Sequence, residues 1–387
     1  MFRFAVPRAL ALMLCTGFGL TAFPLSPTAG AELPVRGTRS VGSPVSFRNL
    51  TLIPVYDRGA KPTEKYITLD EALKAKRVKV REASGGGEVN SVLISNLDSK
   101  PLYLMGGEVV LGGQQDRCLG KDTIIPAGKR NASVTVFCVE HGRWNGHSDF
   151  MTSAPMVAAR EVRASVMAGA FAGEVAAAPA ARAEATRVSR LPQTVGSLGS
   201  ASVGGAQQKV WDTVAEKNRR FNTAPASGTY RGVLNMEAGD AQRRISPYLR
   251  AFTAGTEKTP HRVGVVAAIN GKIIAADIFG DPTLFRRLWP KLLRSYAADA
   301  AEAVEGSGKA RPVTSAQARD FLLTTAAGSS RMESRSDVST TLRLESKDAL
   351  LYRVTPAGAP GAARGGGGSG GMKAGSGGPV HESFLRK

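Results

Sequence analysis

The sequence predicts an α+β protein with a mostly antiparallel, sandwich-like β domain, followed by helices and then a helix-covered antiparallel sheet. From about residue 47, short apolar stretches alternate with Gly, Pro, Asn and Asp, which is typical of strands joined by turns. Later stretches have the longer apolar spacing of helices and then a clear hairpin signal. We expect a signal peptide (1–31), a β-rich domain (47–148), a helical segment (149–260) and an α+β lobe (261–387).

Strand-like stretches follow one another through the predicted β domain. Their sequences are NLTLIPVYD, KRVKVREA, SVLISNL, PLYLMGGEVVLGG, DTIIPAG and SVTVFCVE. The alternation of apolar and polar residues in SVLIS and SVTVFC indicates that one face of these strands is buried. A short helix interrupts them, because Thr68 and Glu71 have the spacing of a capping box.

The helical segment contains two stretches with helical periodicity. They are MVAAREVRASVMAGAF and AQQKVWDTVAEKNRRF, the second of which would bury Val210, Trp211 and Val214. The residues between them are poor in large apolar side chains and rich in Ala, Ser and Gly, so we expect a flexible loop in the second half of that interval.

The α+β lobe begins with two apolar runs joined by Asn270-Gly271, the pair that a type I′ hairpin turn favours. Asp281 followed by Pro282 then predicts a helix start. A further helix, TSAQARDFLLTTA, precedes the strand candidates STTLRLES, ALLYRVT and VHESFLRK. Between the last two lies 358–378, in which 11 of 21 residues are Gly, so we expect a disordered insertion.

The N-terminal residues predict export. Arg3 and Arg8 precede an apolar run, and Ala29-Gly30-Ala31 offers a small-residue cleavage site, as in a secretory signal peptide. The run is too short and too interrupted for a good membrane span, and no later segment supplies one. We therefore expect a periplasmic or extracellular protein whose mature chain has no transmembrane segment.

The chain is strongly basic, with a formal net charge of +19. No basic run with interleaved aromatic residues occurs, so no specific nucleic-acid motif is present. Two interpretations remain: a solvated basic surface without a particular partner, or affinity for an anionic small molecule or an anionic envelope surface.

Two cysteines remain after removal of the predicted leader, Cys118 and Cys138. An even pair in an oxidising compartment predicts a disulfide, and a hairpin between them would bring them side by side. The alternative, Cys138 as a nucleophile with His141 as its base, is weaker because proximity in sequence does not establish a catalytic arrangement.

Polar residues gather where two of the predicted strands end. They are Glu108, Gln115, Asp116, Arg117, Glu140, Arg143 and Trp144. If the strands pair, the arginines would clamp an anionic ligand, Trp144 would stack on its ring, and Glu108 and Glu140 would be the candidate catalytic carboxylates. The alternative is structural, with Glu108 paired to Arg143, or Arg117 to Glu140, as a buried ion pair.

Metal and serine-nucleophile chemistry lack support in the sequence. The four histidines have no metal-ligand spacing, and no nucleophile elbow is present. We expect no metal and no cofactor.

Several of these stretches together resemble a known family. MGGEVVLGGQQDRCLGKDTIIPAGKRNASVTVFCVEHGRW, QQKVWDTVA, VGVVAAINGKIIAADIFGDPTLFRRLWPKLLRSYAADA and VHESF are similar to the uncharacterised domain family named for its association with ADP-ribosylglycohydrolases and rhodanese-like phosphatases. The most specific blocks contain Glu108, Gly112, Gln115 and Arg117, and the run from Cys138 to Trp144. The resemblance implies little about activity, because the family name records gene association.

These observations predict an exported, envelope-associated protein that binds a ligand or partner. The alternative is a hydrolase of a phosphate- or glycoside-bearing small molecule, such as an ADP-ribose-like compound, that uses Glu108 and Glu140. A shared cleft with the two carboxyl groups about 5 to 10 Å apart would favour the enzyme. Burial of both acids in pairs with arginine, with no adjoining cavity, would favour a binding or structural role.

Overall fold

The computed structural model describes residues 32–83, 90–142, 149–177, 198–223, 225–235, 239–253, 259–303, 311–335, 339–356 and 378–387. The predicted signal peptide, Arg143, Trp144, residues 178–197 and nearly all of the glycine-rich insertion lie outside these residues. The predicted flexible loop is wrong at residues 198–205, which form the first turns of a helix. The described helices are α1 (Leu69–Lys74), α2 (Arg160–Ala177), α3 (Leu198–Arg220), α4 (Arg231–Asn235), α5 (Gly239–Thr253), α6 (Pro282–Glu302) and α7 (Ser315–Ala326). None of them is long and apolar enough to cross a membrane.

Nineteen strands lie in the same residues. They are β1 (Leu33–Arg36), β2 (Arg39–Val41), β3 (Val45–Phe47), β4 (Leu50–Asp57), β5 (Ile67–Thr68), β6 (Val78–Glu82), β7 (Ser91–Asn96), β8 (Leu102–Leu104), β9 (Val109–Gly112), β10 (Arg117–Leu119), β11 (Thr123–Ile125), β12 (Ala132–Cys138), β13 (Asp149–Ser153), β14 (Arg262–Ile269), β15 (Lys272–Phe279), β16 (Ser330–Arg335), β17 (Ser339–Glu345), β18 (Ala349–Pro356) and β19 (His381–Arg386). With the seven helices they confirm the α+β class.

Ten of the strands form one antiparallel sheet. Its order is β1-β2-β4-β14-β15-β19-β18-β17-β16, and β3 pairs with β4. The hairpin between β14 and β15 turns at Asn270 and Gly271, whose φ angles of 49° and 72° are the positive values that a type I′ turn requires. Strand β19 lies between β15 and β18, so it joins the two halves of the sheet.

Six strands of the predicted β domain close into an antiparallel barrel instead of a sandwich. The order is β10-β12-β7-β6-β13-β9, and the barrel closes because β13 pairs with both β6 and β9. Its interior contains branched aliphatic side chains together with Phe150. Strand β4, although next to these strands in sequence, belongs to the large sheet through its pairing with β14. Strands β11, β8 and β5 form a small separate sheet.

Helices cover both faces of the large sheet. Helix α6 buries the stripe that its spacing predicts, Leu284, Leu288, Leu292 and Tyr296, in the core that also contains residues of the barrel strands. Asp281 caps it, accepting from the Thr283 amide, and Pro282 occupies its first position, as expected. Helix α7 packs against β1, β2, β17 and β18 on the opposite face. The predicted helix-covered sheet is confirmed.

A buried network of charged groups connects the sheet to the loop that precedes β11. His381 of β19 donates through Nδ1 to Asp122 Oδ2 at 2.5 Å and through Nε2 to Asp277 Oδ1 at 3.0 Å. Arg163 of α2 donates to both carboxylate oxygens of Asp277, at 2.7 and 2.9 Å. Tyr296 of α6 also donates to Asp277. We call these residues, with Tyr103 on Asp122, the central network.

The central network is electrically balanced, with two carboxylates facing a guanidinium and an imidazolium. Burial alone would lower the pKa of His381, but Asp122 and Asp277 raise it to about 9. Burial also opposes ionisation of Asp122 and Asp277. Even so, His381 holds the pKa of Asp122 below its ordinary value. Arg163 and His381 together lower the pKa of Asp277. All four groups are therefore charged at neutral pH.

The pKa of His381 predicts how stability depends on pH. Because the folded-state pKa lies above the ordinary value of 6.5, the stabilisation from His381 is complete below about pH 6.5 and is lost as the pH rises through about 9. We expect the free energy of unfolding to fall by ~3 kcal/mol across this window, measured by urea denaturation at constant ionic strength.

The matched variants are His381→Gln, which cannot carry the charge and should lose this slope, and His141→Ala, which alters an exposed histidine and should keep it. A wild-type protein whose free energy of unfolding is constant from pH 6.5 to 9 would show that His381 is not charged in the fold.

Candidate functional site

Two of the four predicted ligand-binding residues, Gln115 and Arg117, lie at one end of the barrel, and Arg143 and Trp144 fall outside the described residues. We call the polar group at this end the rim cluster: Glu82, Gln115, Asp116, Arg117, Cys138, Glu140 and Arg231. Arg117 begins β10 and stands opposite Cys138 of β12 in the ladder. Its guanidinium is 2% exposed and donates to both oxygens of Glu82, at 3.2 and 3.3 Å, to Gln115 Oε1 at 3.3 Å and to the Cys138 sulfur. The two terminal nitrogens of Arg117 are thus bonded to other groups of the protein, and only its buried Nε lacks a partner.

The other rim acids are also engaged. Asp116 accepts two hydrogen bonds from Arg231 of α4, at 2.6 and 2.7 Å, and one from the Gly112 amide at 3.0 Å. Glu140 is 3% exposed and accepts from the Asp116 amide at 3.4 Å, while the Gln115 amide group donates to the Glu140 carbonyl at 2.8 Å. These contacts tie the end of β12 to the start of β10.

Cys118 and Cys138 do not form the predicted disulfide, and both are free thiols in the structure. The register gives the reason: Cys118 stands opposite Phe137, and Arg117 stands opposite Cys138. Because neighbouring residues of a strand point to opposite faces, the two sulfurs lie on opposite sides of the β10–β12 ladder. Burial raises the pKa of Cys138 to about 11 and that of Cys118 further, so neither is an activated nucleophile.

The thiols should be present but unreactive in the folded protein. A pKa of about 11 leaves roughly one thousandth of Cys138 as thiolate at pH 8, and burial blocks access. Alkylation without reductant should label neither residue in native protein and both in denaturant, as read by peptide mapping. A peptide that links Cys118 to Cys138 would contradict the register.

Glu108 lies in a second, separate cluster. Its side chain has no exposed surface, its Oε1 is 2.8 Å from Lys291 Nζ of α6, and its Oε2 accepts from the Met105 amide at 2.9 Å. Lys291 also contacts Asp70 Oδ1 at 2.6 Å and Ser153 Oγ at 3.3 Å. Burial raises the pKa of Glu108. Burial alone would lower the pKa of Lys291, but the carboxylates of Glu108 and Asp70 raise it above its ordinary value. Lys291 is therefore a charged partner of Glu108 and cannot act as a base.

The two candidate catalytic acids are held by different contacts. The Glu108 carbonyl accepts from Leu119 at the end of β10, whereas the Glu140 carboxylate accepts from Asp116, which precedes the start of β10. The two acids therefore belong to opposite ends of this strand. Each is buried, and each has its own partners.

The pair of Glu108 and Lys291 predicts a specific pattern of stability. Lys291→Met should lower the free energy of unfolding by about 3 to 5 kcal/mol, because it leaves the buried Glu108 carboxylate without a charged partner. Glu108→Gln should lower it by less, because Lys291 keeps its contact with Asp70. The double variant should recover much of that loss, as measured by urea denaturation. Glu64→Gln, at a 70% exposed carboxylate with two ion-pair partners, is the control and should change stability little. Additive losses in the double variant would disprove the pairing.

An open concave surface lies elsewhere, between α7 and the β14–β15 hairpin. It is a groove of about 490 Å³ whose floor includes Ile273, Val313 and Phe321. Its other wall is the turn between β17 and β18, and hydroxyl groups of α7 and of this turn also line it. We call it the α7 groove.

The rim of the α7 groove is basic. Lys272, Lys347 and Arg386 line it, all exposed, and none has a side-chain ion pair or hydrogen bond with the described residues. Of the two acids that line it, Asp320 is engaged by Arg319 at 2.9 Å, and the second is Asp348. The α7 groove thus combines apolar floor, hydroxyl groups and unpaired cations, which are features of sites that bind anionic ligands.

Sequence reasoning missed most of the partners of the polar residues. Arg231, Lys291 and Glu82 lie 115, 183 and 35 residues from the groups that they bind. The signal for Lys291 was weak, since it is one of four basic residues of α6 and the other three are exposed or partly exposed. His141 is exposed, and its ring lies 4.5 Å edge-on from Trp211. In the described part of the chain, no three His, Cys, Asp or Glu side chains are placed to hold a metal ion.

The fold and these clusters define a barrel-and-sheet α+β protein held together by buried ion pairs. The family of the ARPP-1 domain, described as the ARG and Rhodanese-Phosphatase-superfamily-associated Protein domain, matches residues 38–359. The chain belongs to this family, which confirms the resemblance seen in its sequence. No curated protein and no solved structure matches the chain.

Proposed function

We propose that this protein is a non-catalytic binding protein for anionic ligands, exported to the cell envelope, and that the α7 groove is its binding site. The observation that carries the proposal is the concentration of three unpaired cations, Lys272, Lys347 and Arg386, around one open groove. Elsewhere in the described chain, the buried cations Arg117, Arg163 and Lys291 each face a carboxylate of the protein.

The composition of the groove favours a ligand with both an anionic group and a small apolar or ring-shaped body. Cations on the rim attract the charge, and the hydroxyl groups of Thr324 and Ser346 offer hydrogen bonds. The floor of Ile273 and Phe321 offers an apolar surface. Nucleotides and sugar phosphates have this combination of groups.

The hydrolase alternative is less well supported by the positions of the acids. A raised pKa would suit Glu108 as a general acid, but its carboxylate has no exposed surface and contacts Lys291. Glu140 is 3% exposed and accepts a hydrogen bond from the Asp116 amide, so it too is engaged within the protein. Export rests on Arg3, Arg8 and the apolar run that follows them.

Ligand titration of wild type and matched variants tests the proposal. Isothermal titration with a panel of nucleotides and sugar phosphates, including ADP-ribose, should identify at least one compound that binds. Lys272→Gln/Lys347→Gln should bind it up to about 30-fold more weakly, since exposed charge pairs contribute up to ~1 kcal/mol each. Lys74→Gln/Lys79→Gln, at exposed lysines of α1 and β6, is the charge-matched control and should bind as wild type does.

Two results would overturn the proposal. Equal weakening by both double variants would assign binding to net charge instead of the groove. Hydrolysis of any panel compound by wild type, lost in Glu108→Gln protein that still folds, would establish the enzyme.

A further inference from the structure

Arg262, the first residue of β14, differs from the other strongly buried arginines of the described chain. Arg117 and Arg163 are paired with Glu82 and Asp277. Arg262 is 9% exposed, has no carboxylate partner among the described residues, and its buried Nε has no hydrogen bond. Burying a guanidinium without a carboxylate partner is costly, so Arg262 stands apart from the other two.

Aromatic side chains surround Arg262. Its guanidinium carbon lies 4.7 Å from the centre of the Trp289 ring and 5.3 Å from that of Phe285, both on α6. Tyr56 of β4 is its partner in the ladder. These rings hold the guanidinium in place through cation–π contacts but supply no acceptor for its N–H groups. The side chain is therefore held in position while its buried Nε–H has no acceptor.

Two neighbouring residues have unused polar atoms as well. Trp289 Nε1 and His261 Nδ1 are buried and have no hydrogen-bond partner. His261 has a φ of 66°, a left-handed value that side chains other than glycine rarely adopt. Three buried nitrogens without partners therefore lie close together: His261 Nδ1, Arg262 Nε, and Nε1 of Trp289, whose ring contacts the Arg262 guanidinium. Buried polar atoms without hydrogen bonds and strained backbone conformations are found most often at functional sites.

The carboxylates that lie near Arg262 in the chain or the fold are already occupied. Asp57 accepts from Thr38 at 2.5 Å and from Arg39 at 3.4 Å. Asp281 caps α6 and accepts from the Thr63 amide and hydroxyl. Burial lowers the pKa of Arg262 to about 10, whereas carboxylate partners raise that of Arg163. Arg262 lacks a compensating charge within the described chain.

We propose that Arg262, with Trp289 and His261 beside it, forms a binding site for a small oxyanion group, a phosphate or a carboxylate, carried by a ligand from solution. The guanidinium offers the planar fork of donors that such groups accept in bidentate fashion. The indole N–H offers a further donor, and Tyr56, half-buried at the margin, offers a hydroxyl. This site is separate from the α7 groove and does not depend on the function proposed there.

Inorganic phosphate and acetate are the probes, compared with chloride at equal ionic strength. For the wild-type protein, at least one probe should raise the melting temperature in a saturable way and change the tryptophan fluorescence. In Arg262→Gln, the apparent dissociation constant should rise by at least about tenfold, since the bidentate contact is lost. Arg286→Gln, at an exposed arginine of α6, the helix that contains Trp289, should behave as wild type.

The two probes distinguish the chemistry of the ligand, because a response to phosphate alone assigns a phosphorylated compound and a response to acetate alone assigns a carboxylate. No response to either probe, or an unchanged response in Arg262→Gln, would overturn the site. If Arg262→Gln does not fold, Trp289→Phe decides: weaker binding supports the site, and undiminished binding overturns it.

Discussion

The contact on which the rest of the structure depends is that between His381 and its two carboxylates. Asp277 and His381 belong to neighbouring strands of the large sheet, Asp122 to the loop that follows β10 of the barrel, and Arg163 to α2. Each group is nearly or completely buried, so none can be left unpaired without a large free-energy cost. Because each of these charges needs its partners, the pairing restricts how the barrel, the sheet and α2 can be oriented relative to one another. It restricts them more than apolar packing does, because charged hydrogen bonds depend on both distance and direction.

Features of the fold that depend on adjacent residues could be predicted from the sequence. The Asn270-Gly271 turn, the Asp281 cap and the capping box of Thr68 with Glu71 were correct because each is determined within about four residues. Closure of the barrel could not be predicted, because the pairings of β13 with β6 and β9 join residues that are distant in the chain. The disulfide failed for a related reason: one residue of register decides which face a side chain occupies.

The candidate site could be predicted in part. The polar residues around Arg117 and Glu140 do gather at one end of the barrel, as expected from paired strands. The alternative of buried ion pairs was correct for the type of contact but not for the partners. Glu108 pairs with Lys291, and Arg117 pairs with Glu82. Neither partner follows a local pattern, so only the three-dimensional arrangement identifies them. Arg262 gave no sequence signal, because what distinguishes it is the absence of an acceptor in its surroundings.

The position of β19 has a consequence for how the chain reaches its native state. Until residues 381–386 have been synthesised, β15 and β18 each lack a partner on one side, and the sheet can form only as two separate parts. Both edges carry apolar side chains, including Ile278 and Leu351, and unpaired strand edges of this kind recruit other chains. In this topology the last strand to be synthesised is thus the one that covers two exposed strand edges, so the chain is most open to edge-to-edge association before β19 is in place.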